Sequence, residues 1–305
     1  MRIFAICKES ALDADVAVVG GGVAGIAAAV QLHRAGLNTV LFEAKSIGGI
    51  VRNAFRIENL PPFAVPPTGK RLAQMLQKMV AARRLRCLMR RVLKVDVDRG
   101  GVTLHTMEGT LRTRYCIFAA GTEPMRLPAE GEIEALEASR LFYEVADVPQ
   151  QARKAVVVGG GEMAQDYALS LAAGGADVII VARGALRGVK ALTQRLLQTK
   201  RIQVRQGTQV VALRTKPDGV EVLYDGAEGK GVEKVEFVVV AIGRKAADAP
   251  LRHMKNLRIR SDGSTTMRRL YVAGSFRFSA ELRHIAIAAG DGLARACCLL
   301  RRLAK

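Results

Sequence analysis

Cysteine and histidine are scarce in this chain, and their spacing does not suit a metal centre. The 305 residues include five cysteines and four histidines. The cysteines form no C-x-x-C pair, and the histidines have no metal-ligand spacing, so we predict no metal site. Cys297 and Cys298 are adjacent in a predicted helix, where a disulfide between neighbours would be strained. We interpret both as small helix residues.

Aromatic and acidic residues are also few. Tryptophan is absent and aromatic residues make up 5% of the chain, so most of the stacking surface that binds single-stranded nucleic acid is missing. Basic residues outnumber acidic ones by 47 to 28, which gives a formal charge of +19. Because no nucleic-acid recognition motif accompanies this charge, we predict an acidic protein as partner and no nucleic acid. The alternative is that the arginines are ordinary solvated residues.

Long apolar runs are missing as well. An uncharged stretch near the start, residues 16–30, is interrupted by glycines and is too short for a membrane-spanning helix. Lys8 and Glu9 come too early for the apolar core of a signal peptide. We predict no membrane span and a cytoplasmic location.

Two glycine-rich turns are the clearest positive feature of the sequence. One reads V-V-G-G-G-V-A-G over Val18–Gly25, and the other reads V-V-G-G-G-E-M-A over Val157–Ala164. Each follows an apolar run, opens an alanine-rich segment and precedes a second apolar run. This is the strand–turn–helix–strand order of a dinucleotide-binding unit. Two copies predict two dinucleotides, and the alternative for each copy is a doubly wound domain without a nucleotide.

The two copies differ at the position that contacts the adenosine ribose. The first has Glu43 at the end of its second strand, where an acid accepts hydrogen bonds from ribose hydroxyls and repels a 2′-phosphate. The second has Ala182 and Arg183 there, with Arg187 four residues later. Guanidinium groups form charge-assisted hydrogen bonds with phosphate oxygens. We therefore predict FAD or NAD in the first unit and NADP in the second.

The order of predicted elements indicates an α/β fold built from two similar halves. Each half has a βαβ unit, then antiparallel hairpins at about 92–118 and 203–237, then a buried strand that ends at Gly121 or Gly243. The last segment, 270–303, holds one strand and one long helix. Because two elements cannot form a domain alone, we expect this segment to pack onto the first half.

Together these features make the whole chain resemble the low-molecular-weight thioredoxin reductases, a branch of the flavin-dependent pyridine nucleotide oxidoreductases. The matching segments are, in order, G-G-G-V-A-G, L-F-E, G-G-I, E-N-L-P, P-T-G, A-A-G-T, V-V-G-G-G, V-A-R-G-A-L-R, V-A-I-G, A-G-S and L-R-H-I-A-I-A-A-G-D-G. The resemblance implies two Rossmann-like domains in three layers, with a parallel sheet and a small antiparallel sheet. It further implies an NAD(P)H-binding domain (122–245) inserted into a discontinuous FAD-binding domain (1–121 and 246–305).

The resemblance also implies which residues bind the cofactors FAD and NADPH. The FAD candidates are Gly20, Gly22, Gly25, Glu43, Gly48, Gly49, Asn59, Gly274, Ser275, Arg283 and His284. The NADPH candidates are Gly159, Gly161, Ala164, Arg183 and Arg187, and the strand-ending Gly121 and Gly243 complete the set. Ser275 replaces the aspartate of the usual A-G-D, and its hydroxyl bonds a ribityl chain less strongly than a carboxylate. The family usually has two adjacent arginines at the 2′-phosphate, so with Arg183 alone we expect a modest preference for NADPH.

One departure from the family changes the expected chemistry. Relatives that reduce thioredoxin carry C-x-x-C shortly before the second glycine turn, whereas this chain reads S-R-L-F-Y-E-V-A-D-V-P and has no cysteine between Cys116 and Cys297. Disulfide exchange needs a thiolate at the flavin, so the family's route is excluded. Glu144 and Asp147 are candidate replacement acids, with a surface loop as the alternative. His284 is a candidate catalytic residue near the flavin, with a packing role as the alternative.

These observations predict an FAD-dependent oxidoreductase that takes hydride from NADPH and passes electrons to a non-disulfide acceptor. An acidic ferredoxin or flavodoxin would suit the basic charge of the chain. Two alternatives stay open. One is a regulatory protein that binds FAD or NADP without turnover, and the other is a thiol–disulfide reductase that uses Cys297, Cys298 or a partner's disulfide. The resemblance implies a homodimer.

Overall fold

A computed structural model describes residues 12–226 and 229–304 of the chain. Lys8 and Glu9, on which the N-terminal prediction depends, lie outside the described residues, as does Cys7. The described chain forms two compact units. The first unit comprises residues 12–51, 72–122 and 246–304, and the second comprises residues 52–71, 123–226 and 229–245.

Segment 52–71 is grouped with the second unit, although the sequence analysis placed it in the first domain. Phe55 packs against the hydrophobic core of the second unit. Its backbone N–H also donates a hydrogen bond of 2.8 Å to Asp166 Oδ2, 111 positions away. A contact over this separation leaves no local signal in the sequence. The assignment of FAD to one unit and NADPH to the other remains a prediction.

The strands and helices follow the predicted α/β order. The strands are β1 (Ala14–Val19), β2 (Thr39–Phe42), β3 (Arg86–Leu88), β4 (Lys94–Val97), β5 (Val102–Thr106), β6 (Gly109–Phe118), β7 (Thr122–Pro124), β8 (Leu141–Phe142), β9 (Lys154–Val158), β10 (Asp177–Val181), β11 (Ile202–Arg205), β12 (Thr208–Lys216), β13 (Gly219–Gly226), β14 (Gly229–Val235), β15 (Phe237–Val240), β16 (Arg244–Ala246) and β17 (Leu270–Val272). The helices are α1 (Val23–Arg34), α2 (Gly69–Ala82), α3 (Glu132–Glu137), α4 (Glu162–Ala173), α5 (Lys190–Gln198) and α6 (Ile285–Leu303).

The first unit is built on a seven-stranded sheet of order β3-β2-β1-β6-β5-β4, with β17 also paired to β6. Side chains of β1 alternate between two hydrophobic clusters, as the period of a strand requires. Val16 and Val18 join the cluster that includes α1 and α6, whereas Ala17 and Val19 join the opposite one. Because both faces of β1 are covered from Val16 onward, the strand is apolar from Val16 to Val19.

Strand β6 includes residues that the sequence analysis divided between two elements. The sequence analysis separated the hairpins at 92–118 from a buried strand that follows them. In the structure β6 pairs antiparallel with β5 through residues 109–113 and parallel with β1 through residues 113–118. Its first half alternates between polar and apolar residues, and its second half, Y-C-I-F, is mostly apolar. The change of pattern marks a change of neighbour along one continuous strand.

The C-terminal segment returns to the first unit, as predicted. Strand β17 pairs parallel with β6, with Leu270 opposite Cys116. Helix α6 packs closely against α1, because a Cβ at Gly292 would lie 2.0 Å from the carbonyl oxygen of Ala24. Among the described residues, no helix is long and apolar enough to cross a membrane.

The second unit contains a parallel sheet of order β11-β10-β9-β15-β8. The antiparallel sheet β12-β13-β14 matches the predicted hairpins at 203–237, and β7 pairs with β16. The short helix α3 was not predicted, because six residues give too few turns for a clear helical period.

The close contact of α6 with α1 makes a testable difference between two glycines of α6. We expect Gly292→Ala to destabilise the protein by about 1–3 kcal/mol, because its methyl group would press on the backbone of α1. Gly290 is the matched control, since a Cβ there has no neighbour within 4 Å. Gly290→Ala should be neutral or stabilise by up to about 1 kcal/mol through helix propensity. Urea unfolding midpoints measure both, and equal effects would contradict the packing argument.

Candidate functional site

The first glycine turn joins β1 to α1 by a close backbone approach. The N–H of Gly20 donates a hydrogen bond of 2.8 Å to the carbonyl oxygen of Phe42, at the end of β2. Gly20 has φ +109°, and a Cβ there would lie 2.3 Å from the carbonyl oxygen of Ala119. Gly25 is tighter still, since its Cβ would lie 1.8 Å from the Gly20 oxygen. Only glycine fits these two positions.

The N-terminus of α1 faces open space. Gly22 is the N-cap residue and makes no side-chain capping bond, and a Cβ there would meet nothing within 4 Å. The first turn of α1 carries no acidic residue. The first amides of a helix lack partners within the helix, and the helix dipole favours an anion beside them. The turn is therefore shaped and charged to hold a pyrophosphate.

The second predicted glycine pair lies against this turn. The N–H of Gly48 donates a hydrogen bond of 2.7 Å to the carbonyl oxygen of Gly21, and Gly48 forms a parallel bridge with Gly22. Gly48 and Gly49 both have positive φ, at +102° and +58°. The structure thus brings together two motifs that the sequence separates by more than twenty residues.

Glu43 lies beside the turn, as the sequence analysis expected, and its carboxylate already accepts hydrogen bonds. Oε2 accepts from the N–H of Gly21 over 2.7 Å, and Oε1 accepts from the N–H groups of Lys45 and Ser46 over 2.7 and 3.1 Å. A carboxylate offers about four lone-pair sites, so one site on Oε2 is left for a ribose hydroxyl. Glu43 therefore closes the turn and can also contact the nucleotide.

The α6 side of the site contains an acid that the sequence analysis missed. The N–H of Gly274 donates a hydrogen bond of 2.8 Å to Asp291 Oδ2. Arg277 and Arg295 lie 3.0 and 3.6 Å from Asp291 Oδ1, and the three side chains are about one-tenth exposed. The A-A-G-D-G segment was used only as a family signature, but its aspartate fixes the turn that carries Ser275. Ser275 is half-buried beside this turn.

The remaining first-unit candidates lie at ends of elements. Gly121 has φ +69° and follows β6, and its carbonyl oxygen accepts a hydrogen bond of 3.1 Å from Ala247. His284 is the N-cap residue of α6 and is exposed. Arg283 precedes it and donates from Nε to the carbonyl oxygen of Phe278 over 3.0 Å. A catalytic role for His284 remains a prediction.

The second unit repeats the first turn bond for bond. The N–H of Gly159 donates to Val181 at the end of β10 over 2.9 Å, and a Cβ on Gly159 would lie 2.3 Å from the carbonyl oxygen of Ala241. Gly161 is the N-cap residue of α4, with open space where its Cβ would be. Ala164 takes the place of Gly25 and is fully buried.

The second turn is closed by an arginine backbone in place of a glycine. The N–H of Arg187 donates a hydrogen bond of 2.7 Å to the carbonyl oxygen of Gly160, as Gly48 does to Gly21 in the first unit. At the other edge, Gly243 has φ +129° and accepts from the N–H of Met125 over 3.0 Å. Gly243 follows β15, so it lies at the same edge of the sheet as the second glycine turn.

The ribose position of the second unit has no acid. Ala182 follows β10 as Glu43 follows β2, and it is 2% exposed with its methyl group toward Gly160. Arg183 is exposed and lines an open cavity of about 270 Å³. The other lining residues are Gly207, Thr208, Gln209, Asp225 and Gly226. Arg187 is also exposed, so two guanidinium groups are available at this edge.

Glu144 and Asp147, the candidate replacement acids, are both paired in the structure. Glu144 Oε1 accepts a hydrogen bond of 2.9 Å from Arg244, and Oε2 accepts from the side-chain amide of Asn53. Asp147 is bound by Arg52 at 2.8 Å. The Glu144 side chain is 12% exposed. A catalytic role for either acid remains a prediction.

Segment 52–71, which carries Asn59, is held on the second unit by several such contacts. Asn53 Oδ1 accepts from the N–H of Ala146 over 3.1 Å, and Glu58 pairs with Arg195 at 2.8 Å. Phe55 contacts Asp166 on α4 through its backbone. Burial raises the pKa of Asp166 to about 6. Asn59 was predicted to bind FAD in the first domain, but its segment is grouped with the second unit. Of the predicted site positions, this one differs most from the sequence analysis.

Two of the described thiols, Cys87 and Cys116, are poorly placed for thiolate chemistry. Cys87, Cys116, Cys297 and Cys298 are all free. Burial raises the pKa of Cys116 far above its ordinary value, and it also raises the pKa of half-buried Cys87. A thiol with a raised pKa supplies little thiolate at neutral pH.

Residues 14–290 match the sequence model of the pyridine nucleotide-disulphide oxidoreductases. The chain belongs to this family. Membership makes the protein an NAD(P)H-dependent flavin oxidoreductase with FAD and NADPH as its cofactors. The two open helix N-termini and the glycine turns around them fit two dinucleotides.

Individual relatives of this oxidoreductase support the same family and fold. The chain is 31% identical over 204 residues to a thioredoxin reductase of Treponema pallidum, across 66% of each protein. It is 34% identical over 186 residues to a ferredoxin–NADP reductase of Granulibacter bethesdensis, across 57% of this chain and 52% of that one. A solved thioredoxin reductase of Lactococcus lactis superposes with a TM-score of 0.87 at 21% identity, covering 96% of this chain and 99% of its own. The predicted fold is thereby confirmed.

The glycine turn of this oxidoreductase makes Gly25 and Ala164 a matched pair for mutation. We expect Gly25→Ala to destabilise the protein by about 1–3 kcal/mol, because its methyl group would overlap the Gly20 carbonyl oxygen. Ala164→Gly removes a methyl group that already fits, so it should cost only about 1 kcal/mol through helix propensity. Urea unfolding and the flavin content of the purified protein measure the difference. Equal losses in the two variants would contradict the close approach.

The raised pKa of Asp166 predicts a pH dependence of stability. The folded pKa is about 6 and the ordinary value is 3.8, so the folded state binds the extra proton between these values. The contribution of this group is therefore fully present below about pH 4 and is lost as the pH rises through 6. We expect Asp166→Asn to stabilise the protein at pH 7.5 by up to about 3 kcal/mol and to have little effect at pH 4.

Unfolding free energies of the Asp166→Asn variant at the two pH values measure this effect. The matched control is Asp177→Asn, at an exposed aspartate paired with Arg201, which should change stability by less than about 1 kcal/mol at either pH. A loss of stability in Asp166→Asn at pH 7.5 would show that the charged hydrogen bond to Phe55 outweighs the burial.

Proposed function

We propose that this flavin oxidoreductase takes hydride from NADPH and passes the electrons to a small acidic redox protein, such as a ferredoxin or flavodoxin, and not to a disulfide of its own. FAD is assigned to the first unit and NADPH to the second. Bound NADPH and FAD supply hydride and electron transfer, and the protein supplies binding, orientation and electrostatics.

The observation that carries this proposal is the Glu144–Arg244 pair. The segment just before β9, where thiol-active relatives have C-x-x-C, holds a buried carboxylate bound by a guanidinium group. An ion pair of this kind cannot take up electrons, which supports transfer from the flavin to an external acceptor. The raised pKa values of Cys87 and Cys116 support the same conclusion.

Two further observations favour an acidic redox protein as acceptor. One similar protein is a ferredoxin–NADP reductase. The second observation is the formal charge of +19, because a strongly basic surface raises the association rate of an acidic partner. A homodimer, implied by the resemblance, and a cytoplasmic location, inferred from the sequence, both remain predictions.

The residues have distinct roles in this proposal. The α1 and α4 N-termini bind the two pyrophosphates, and Glu43 accepts a hydrogen bond from the FAD ribose. Arg183 and Arg187 bind the 2′-phosphate of NADPH. The Asp291 carboxylate holds the Gly274 turn, so that the Ser275 hydroxyl lies beside the flavin side chain.

Anaerobic titration with NADPH, followed by a panel of acceptors, tests the proposal. We expect NADPH to bleach the flavin absorbance, and the reduced protein to reduce ferredoxin or flavodoxin but not oxidised thioredoxin. The rate with the acidic acceptor should fall as the salt concentration rises, because salt screens the attraction. A flavin that NADPH does not bleach would favour the binding-protein alternative. Thioredoxin reduction that thiol alkylation abolishes would favour the thiol alternative.

The preference for NADPH should depend on Arg183. We expect Arg183→Ser to weaken the binding of NADP⁺ about tenfold and to leave NAD⁺ unchanged, because one charge-assisted phosphate contact is lost. Arg214→Ser, at an exposed arginine of β12, is the control that also removes one positive charge. Calorimetric titration with both nucleotides measures the ratio. An equal loss for NAD⁺ and NADP⁺ would place Arg183 away from the 2′-phosphate.

A further inference from the structure

A largely buried ion pair lies at the carboxyl edge of the parallel sheet in the second unit. Glu144 Oε1 and Arg244 Nη1 are 2.9 Å apart, and the two side chains are 12% and 8% exposed. The side-chain amide of Asn53 and the hydroxyl of Tyr167 donate to the other carboxylate oxygen. Burying two charges is expensive unless both are paired and hydrogen-bonded, as they are here.

The strand order shows which part of the crevice this pair borders. The sheet order β11-β10-β9-β15-β8 changes direction between β9 and β15, and open α/β sheets bind dinucleotides across that point. Arg183 follows β10 and lies on the adenosine side. Arg244 follows β15 and Glu144 follows β8, so both lie on the opposite side, where the nicotinamide half of the dinucleotide would extend.

We propose that the Glu144–Arg244 pair positions the nicotinamide half of NADPH in the second unit. The inference rests on the proposed NADPH site and deepens it. The role is one of positioning, and it acts through the backbone segments that the pair holds together.

The contacts of Glu144 explain how one carboxylate can hold together the backbone segments that would position the nicotinamide half. It binds Arg244 at the start of β16, Asn53 from segment 52–71 and Tyr167 from α4. Asn53 returns a second contact to the loop after β8 through the N–H of Ala146. Four pieces of the chain that border this side of the crevice are thus joined at a single group.

Charge gives the pair a second effect. Oxidised nicotinamide carries a positive charge, and an arginine without its carboxylate partner would repel it. Removing the Glu144 charge should therefore weaken NADP⁺ through both position and charge. Removing the charge of Arg244 as well should restore part of the affinity, and the double variant measures that part.

Calorimetric titration with NADP⁺ and with 2′,5′-ADP, which lacks the nicotinamide half, tests the proposal. We expect Glu144→Gln to weaken the binding of NADP⁺ about tenfold and the binding of 2′,5′-ADP less than about twofold. The variant Glu144→Gln/Arg244→Gln should bind NADP⁺ more tightly than Glu144→Gln alone. Tyr167→Phe is a milder change that removes one hydrogen-bond donor to Glu144, and it should weaken the binding of NADP⁺ about two- to threefold. It tests the proposal even if the glutamate variants do not fold.

The matched control is Glu123→Gln. Glu123 pairs with Lys245, next to Arg244, but this pair is exposed, with side chains 40% and 59% accessible. We expect no change in either titration. A parallel loss of NADP⁺ and 2′,5′-ADP in the Glu144 and Tyr167 variants, or no loss of NADP⁺, would overturn the positioning role. A wild-type protein that binds neither compound would instead overturn the NADPH site itself.

Discussion

The structure depends on how closely a helix can begin beside the strand that precedes it. In both units the amide of the first turn glycine, Gly20 or Gly159, is bonded to the end of the neighbouring strand, and its Cα faces a carbonyl oxygen at a distance that no side chain allows. This approach leaves the next helix N-terminus directed at open space, with a positive end that no side chain caps. The proposed anion-binding positions in both units depend on that geometry.

The two units share this backbone and differ in charge. Glu43 accepts three hydrogen bonds from backbone amides beside the first turn, whereas Ala182 has only a methyl group at the same place in the second unit. The first turn of α1 has no acid, whereas that of α4 begins with exposed Glu162. A carboxylate there stabilises the helix dipole and also repels a phosphate. On the proposed placement of the cofactors, the second site would therefore depend more on its arginines for anion binding than the first would.

Features set by neighbouring residues could be predicted from the sequence, and features set by distant ones could not. The glycine turns, the apolar strands and the acid or alanine after each second strand are local, and the fold inferred from them is confirmed by the superposition. The bond from Gly274 to Asp291 crosses seventeen positions between a loop and a helix, and Asn53 reaches Glu144 across ninety-one. Segment 52–71 lacks the periodicity of a helix or a strand, so nothing in it indicated that its contacts are with the second unit.

The position of the basic residues limits how an acidic acceptor can use them. One group of basic residues lies in β3 and on both sides of it and is exposed; it comprises Arg83, Arg84, Arg86, Arg90, Arg91 and Lys94. We call this group the cluster. At the end of β3 the carbonyl oxygen of Leu88 accepts a hydrogen bond from the N–H of Glu43. On the proposed placement of FAD, this is the adenosine end of the cofactor, and the flavin ring lies at the far end of the dinucleotide. An electron acceptor docked on the cluster would be distant from the ring. The cluster can still steer an acidic protein toward the molecule, because electrostatic attraction extends about a Debye length, roughly 8 Å at physiological salt. Charge would then set the rate of encounter, and the surface around the flavin ring would select the acceptor.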